Sequence, residues 1–158
     1  MKRNSAPRLI GLAGVIVGCL DITSAFIIWS TRGVSPTRGL QGIAVSLLGR
    51  SSYEHGWATA ALGLALHFFI ALSVTTIFYF ASRRWPILLR RPILSGVVYG
   101  PLVYLVMYWV VVPLSRIGPR PHSLSNDATA ILIHIFLIGL PIALMVRYFP
   151  QPPVKISP

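Results

Sequence analysis

The sequence predicts an all-α polytopic membrane protein, four transmembrane helices plus a short outer amphipathic helix, in a single membrane domain of 158 residues. Three observations carry that expectation. Hydrophobic residues make up 54% of the chain and charged residues only 11%, against about 45–50% and about 25% in an average soluble domain. Two stretches, residues 56–82 and 92–115, contain no Asp, Glu, Lys or Arg, which meets the length and polarity criteria for spanning helices. The basic residues, which give a formal charge of +11, sit in short segments flanking the apolar runs, a distribution that orients a chain in a bilayer. It argues against nucleic acid as a partner, which calls for a basic patch on one face of a soluble domain, and makes the lipid bilayer the first partner.

The first span is expected at about 9–29, an apolar run of 21 residues interrupted by Asp21. At 1.5 Å per residue it crosses a hydrocarbon core of about 30 Å. Lys2, Arg3 and Arg8 with Thr23-Ser24-Ala25 sketch a signal peptide, and Ile16-Val17-Gly18-Cys19 resembles a lipoprotein box. The run continues through Phe26, Ile27, Ile28 and Trp29 instead of turning polar, which favours a retained helix. Cys19 is the one cysteine, so neither an intrachain disulfide nor a thiolate-rich metal site can be built from this chain alone.

Residues 30–56 are too polar to span. Within them Leu40, Ile43, Ala44, Leu47 and Leu48 recur at helical spacing, with Arg38, Gln41 and Ser46 elsewhere on the wheel. Ser35 suits an N-cap, Pro36 the first helical position and Gly49 the stop. The spacing predicts an amphipathic helix over 36–48, lying at the membrane surface or folded back over the bundle as a lid, with Leu40, Ile43, Leu47 and Leu48 against lipid or protein.

The remaining spans are expected at about 57–82, 92–115 and 128–149. Gly14 and Gly18 on the first, and Gly96 and Gly100 on the third, place small residues at the spacing that lets helices approach closely. Pro101 and Pro141 interrupt backbone hydrogen bonding inside spans three and four, so kinks are expected there. The tail over 151–158 reads as disordered.

Topology follows from the span ends. With the N-terminus in the cytoplasm, the inner side carries Lys2, Arg3, Arg8, Arg83, Arg84, Arg90, Arg91, Arg147 and Lys155. The outer side then carries Arg32, Arg38, Arg50, Arg116 and Arg120. Nine against five predicts both termini inside and leaves Glu54, His55, His122 and Asp127 in the outer loops.

No Gly-rich phosphate loop, HExxH pair or GxSxG elbow is present, so no enzymatic reaction is indicated. The unusual residues are Asp21, His67 and His134, one in each of spans one, two and four. Ionisable side chains inside spans are costly and face the bundle interior or a water-filled cavity. The bland readings are a packed aspartate that accepts from Thr23, Ser24 or a neighbouring helix, and histidines that only bridge helices. Counted from the outer ends, Asp21 lies eight residues in, His67 ten and His134 six, or roughly 12, 15 and 9 Å at the helical rise. That is one layer. Tyr104 and Tyr108, one turn apart on span three, reach a similar level and suit donation to Asp21 or an imidazole.

Three chemistries use such a layer. His67 and His134 are candidates for the two axial ligands of a haem b, and with Asp21 they are candidate ligands of a metal ion. An Asp/His chain is also the usual material for moving protons, which makes any activity of the layer pH-dependent. The leading expectation is an accessory or transport-type membrane protein that moves protons or ions, working as a homo-oligomer or with a membrane partner because the chain is short. The alternative is a haem- or metal-binding redox protein.

The second half of the chain resembles a known family. His67 followed by Tyr79, then Pro86, Gly96 and Gly100, Pro113-Leu114 followed by Pro119 and Pro121, and His134 in the last span are similar to the YagU-like family of bacterial inner-membrane proteins of unknown function. The first half departs from it: the loop after span one is shorter, and Ala130 replaces an acidic residue one turn before the last-span histidine. The resemblance implies a multi-pass protein of the bacterial inner membrane without an established activity, and carries no catalytic residue with it.

Overall fold

The computed structural model describes residues 5–119, 121 and 123–149. Lys2, Arg3, Arg120, His122, Lys155 and the tail over 151–158 lie outside the described residues. Elsewhere the chain is helical, and the described residues contain no strand. In order, α1 is Ser5–Thr31, α2 is Pro36–Leu48, a 3-10 turn covers Arg50–Glu54 and α3 is Gly56–Arg84. A short α4, Ile87–Arg90, leads to α5, Pro92–Leu114, and α6, Leu124–Tyr148.

Four of these helices, α1, α3, α5 and α6, are long and apolar enough to cross a membrane. With 23 to 29 residues each, they run about 35–44 Å and exceed a hydrocarbon core of about 30 Å. Their outward faces carry Leu12, Ile27, Phe69, Ile77, Phe80, Val98, Leu102 and Phe136, all exposed, as a lipid-facing surface requires. This is a multi-pass membrane protein. α6 starts four residues earlier than the apolar pattern suggests, so Asp127 sits in its first turn and not in a loop, where a carboxylate opposes the positive end of the helix dipole.

α1 packs between α3 and α6, and α5 packs along α6. Because lipid is as apolar as leucine, these contacts depend on close fit. At Gly14 a side chain would strike Leu72, and at Gly18 it would strike the ring of Phe68. Gly96 and Gly100 abut the backbone of Leu140 and of His134 and Ile135, and Gly139 answers them from α6. Toward one end Leu9, Ala13, Val17, Phe78, Tyr79, Ile142 and Val146 form a closed core. Toward the other, Ile22, Leu40 and Ala60 meet beside Trp29 and Leu64.

Two π-helical turns interrupt the spans. In α5 the Val112 N–H reaches back five residues to the Met107 carbonyl, and in α6 the Leu140 N–H reaches the Ile135 carbonyl. Each turn ends two residues before a proline, Pro113 or Pro141. A proline ring collides with the carbonyl four residues earlier, and widening the helix relieves that collision. The stretch around Pro101 keeps α geometry, so the irregularity of α5 falls before Pro113 and not at Pro101.

α2 has the predicted bounds. The Ser35 side chain accepts from the Arg38 N–H and Gly49 closes the helix at φ +75°. Its buried face is Gly39, Leu40, Gln41, Ala44 and Val45, while Leu47 and Leu48 stay exposed. The face is turned from the one apolar spacing selects because polar contacts hold Gln41 inward: its Nε2 donates to the Gly56 carbonyl at 2.9 Å, and its own carbonyl accepts from the Ser52 hydroxyl at 3.0 Å. Gly39 lies against the Trp29 ring, and Gly63 of α3 lies against the Leu40 carbonyl. α2 is thereby folded back onto α1 and α3.

Candidate functional site

Beside the two apolar clusters lies a cavity of about 560 Å³ lined by residues of both, within the usual size of small-molecule sites. Val17, Asp21, Ile22 and Trp29 of α1, Ile43 of α2, His67 and Val74 of α3, Met107 and Tyr108 of α5, and His134 and Ile138 of α6 all line it. Both π-helical turns contribute to its wall. Such turns redirect side chains away from the regular helical face.

Asp21 and His67 approach across the contact of α1 with α3. The Nδ1 of His67 is 3.9 Å from the Oδ2 of Asp21, with the two side chains 12% and 26% exposed. The other ring nitrogen, Nε2, donates to the Gly18 carbonyl at 2.9 Å. Gly18 makes that bond reachable, because without a side chain there α3 comes close enough for the ring to meet α1 backbone. A carbonyl only accepts, so Nε2 carries a proton and Nδ1 is left facing the carboxylate. Phe68 stands edge-on to the imidazole, 5.4 Å between ring centres.

Thr23 and Ser24 do not serve the carboxylate. Thr23 donates to the Cys19 carbonyl at 2.7 Å and Ser24 to the backbone carbonyl of Asp21 at 2.7 Å. Of the partners a packing role would use, the two local hydroxyls turn elsewhere, and the neighbouring helix supplies His67.

His134 faces the same cavity from α6. Its Nδ1 donates to the Ala130 carbonyl at 2.8 Å, which leaves Nε2 as the acceptor. Tyr108 lines the cavity as well. Tyr104 does not donate to Asp21 or to an imidazole: its hydroxyl goes to Oδ1 of Asp127 at 2.8 Å. The early start of α6 brings Asp127 within reach. The Tyr104 ring still stacks with Tyr108 at 4.6 Å and stands edge-on to His134 at 5.6 Å, so it positions both from behind.

Among the described residues no group of three or more His, Cys, Asp or Glu side chains is placed to hold a metal ion. Asp21, His67 and His134 share a cavity without forming that cluster.

Sequence reasoning missed the arginine end of the cavity. Arg32 and Arg38 line it together with Ser46, Tyr53 and Ser115. Arg38 lies 4.3 Å over the Tyr53 ring, and Arg32 donates to Asn126 Oδ1 at 2.9 Å. A neighbouring hollow is bounded by Arg38, Arg50, Tyr53 and Arg116. The available signal was the arginine spacing on either side of Ser35, which charge counting uses only for orientation. No family model, no curated protein and no solved structure matches this chain.

Proposed function

We propose that this is a transport-type membrane protein in which Asp21, His67 and His134 bind and pass a proton inside the bundle. The carrying observation is the 3.9 Å approach of His67 Nδ1 to Asp21 Oδ2 on the wall of a cavity. With Nε2 engaged by Gly18, Nδ1 is the ring atom that takes up a proton, and the carboxylate stabilises the cation that forms. At 3.9 Å the pair accommodates direct ion pairing or one bridging water. A carboxylate exposed to lipid at mid-membrane costs at least about 2.5–3.5 kcal/mol, so a partner and a hydrated cavity are what this position calls for. His134, with Nε2 free to accept, supplies a second station on α6.

The accompanying proposals are a bacterial plasma-membrane location, both termini cytoplasmic, and assembly with a second copy or a membrane partner. They rest on the nine-to-five charge count and, for the location, on the resemblance to the YagU-like family carried by His67, Gly96, Gly100 and His134. Purified protein reconstituted in vesicles with an entrapped pH-sensitive dye tests the function. Under an imposed potassium diffusion potential, acidification dependent on the protein is expected, and Asp21→Asn is expected to lower it at least tenfold. Equal rates for the variant and the native chain would refute the reading.

A further inference from the structure

We propose that the cavity binds a single-chain anionic amphiphile, its phosphate or carboxylate head held by Arg32 and Arg38 and its chain lying along the apolar wall. The inference names the ligand class of the cavity discussed above and rests on that cavity being the functional one.

Charge and apolarity are segregated along the cavity. Arg32 and Arg38 line it together, and Arg32, just past the end of α1, lies eleven positions along the chain from Asp21, about 16 Å between their backbones at the helical rise. The same wall carries Ile22, Trp29, Ile43, Val111 and Val112, apolar side chains suited to a hydrocarbon chain. Among the described residues neither Arg32 nor Arg38 forms an ion pair. Arg38 is braced over the Tyr53 ring and Arg32 is tied to Asn126, so both guanidiniums are oriented before any ligand arrives. Planar guanidiniums match phosphate and carboxylate oxygens in paired hydrogen bonds. Arg50 and Arg116 border the adjoining hollow and extend the positive field that draws an anion in.

The head group is held at the arginine end of the cavity, and Asp21 lies further along its wall. A chain extending inward passes beside the polar layer toward Val74 and Ile138, which also line the cavity. The ligand shares this chemistry whether it is a free monoacyl anion or a phospholipid drawn from the bilayer, and the experiment separates the two.

Calorimetric titration of the purified protein in an uncharged detergent uses dodecyl phosphate, dodecyltrimethylammonium and inorganic phosphate as probes. Saturable binding of dodecyl phosphate alone is expected, one per chain, weakened about tenfold or more by Arg32→Gln and by Arg38→Gln, as for loss of a charged hydrogen bond. Arg90→Gln, on the connection at the opposite end, is the control expected to leave binding unchanged. Competition by dioleoyl phosphatidic acid in mixed micelles would assign the site to a membrane lipid; failure of that competition assigns it to a free monoacyl anion. The proposal falls if dodecyltrimethylammonium binds equally, if inorganic phosphate binds as well as its dodecyl ester, or if neither arginine variant changes the affinity. Absent dodecyl phosphate binding beside intact protein-dependent proton flux removes the ligand class alone, whereas loss of both removes the reading of the cavity as functional.

Discussion

His67 reaches α1 twice, with Nε2 donating to the Gly18 carbonyl at 2.9 Å and Nδ1 standing 3.9 Å from Asp21 Oδ2. The two contacts lie one turn apart on α1. The backbone bond fixes which nitrogen confronts the carboxylate, and the absence of a side chain at Gly18 makes the approach geometrically available.

Gly18→Val should therefore be destabilising, because its Cβ would meet the Phe68 ring at 2.6 Å. Overpacking of this kind costs about 1–3 kcal/mol. A thermal melt in detergent should fall by roughly 3–10 °C. Gly11→Val, where a Cβ meets nothing within 4 Å, should melt close to the native chain. Equal melting of both variants would contradict the α1–α3 contact.

Much of this was legible before any coordinates. The bounds of α2 are set by local signals, Ser35, Pro36 and Gly49, so reading them needs no knowledge of neighbours. The meeting of Asp21 with His67 follows from equal depth in adjacent spans. What was hidden depends on partners distant in sequence. Gln41 is buried because Gly56 and Ser52 receive it, and Gly139 matters because Gly96 and Gly100 lie opposite. Tyr104 turns to Asp127 because α6 begins early enough to present that carboxylate. Charge counting assigned Arg32 and Arg38 a side of the membrane but gave no account of what they face.

Gly63→Val should release α2. A side chain at Gly63 would run into the Leu40 carbonyl, and the Gln41 and Ser52 bonds would be strained with it. Hydrogen exchange followed by mass spectrometry is expected to show residues 36–48 exchanging faster than in the native protein, with α3 and α6 unchanged. Unaltered protection of α2 would show that its docking does not depend on Gly63.

Tyr104→Phe removes the hydroxyl bonded to Asp127 and keeps the ring beside His134 and Tyr108. Loss of a hydrogen bond to a charged group costs about 1.5–3 kcal/mol, so the melting temperature should drop. Proton flux should stay within twofold of native, because the hydroxyl does not touch the Asp21–His67 pair. A large loss of flux at unchanged stability would place Tyr104 in the proton path.

Topology is tested with single cysteines in a Cys19→Ala background. A cysteine at Arg84 should be shielded from impermeant thiol reagents in intact cells, and one at Ser51 should react. The reverse pattern would place both termini outside and put the Arg32–Arg38 end of the cavity in the cytoplasm.

The central claim is that Asp21, His67 and His134 act as one proton site. The direct measurement is a mutant cycle on proton flux in reconstituted vesicles, using His67→Ala, His134→Ala and the double variant, with Asp21→Asn as reference. Residues acting as a unit give non-additive losses. The account predicts that each single histidine variant falls to nearly the Asp21→Asn rate and that the double variant is little worse. Single losses that multiply in the double variant, or flux that survives removal of either histidine, would contradict it and leave separate packing residues around a cavity.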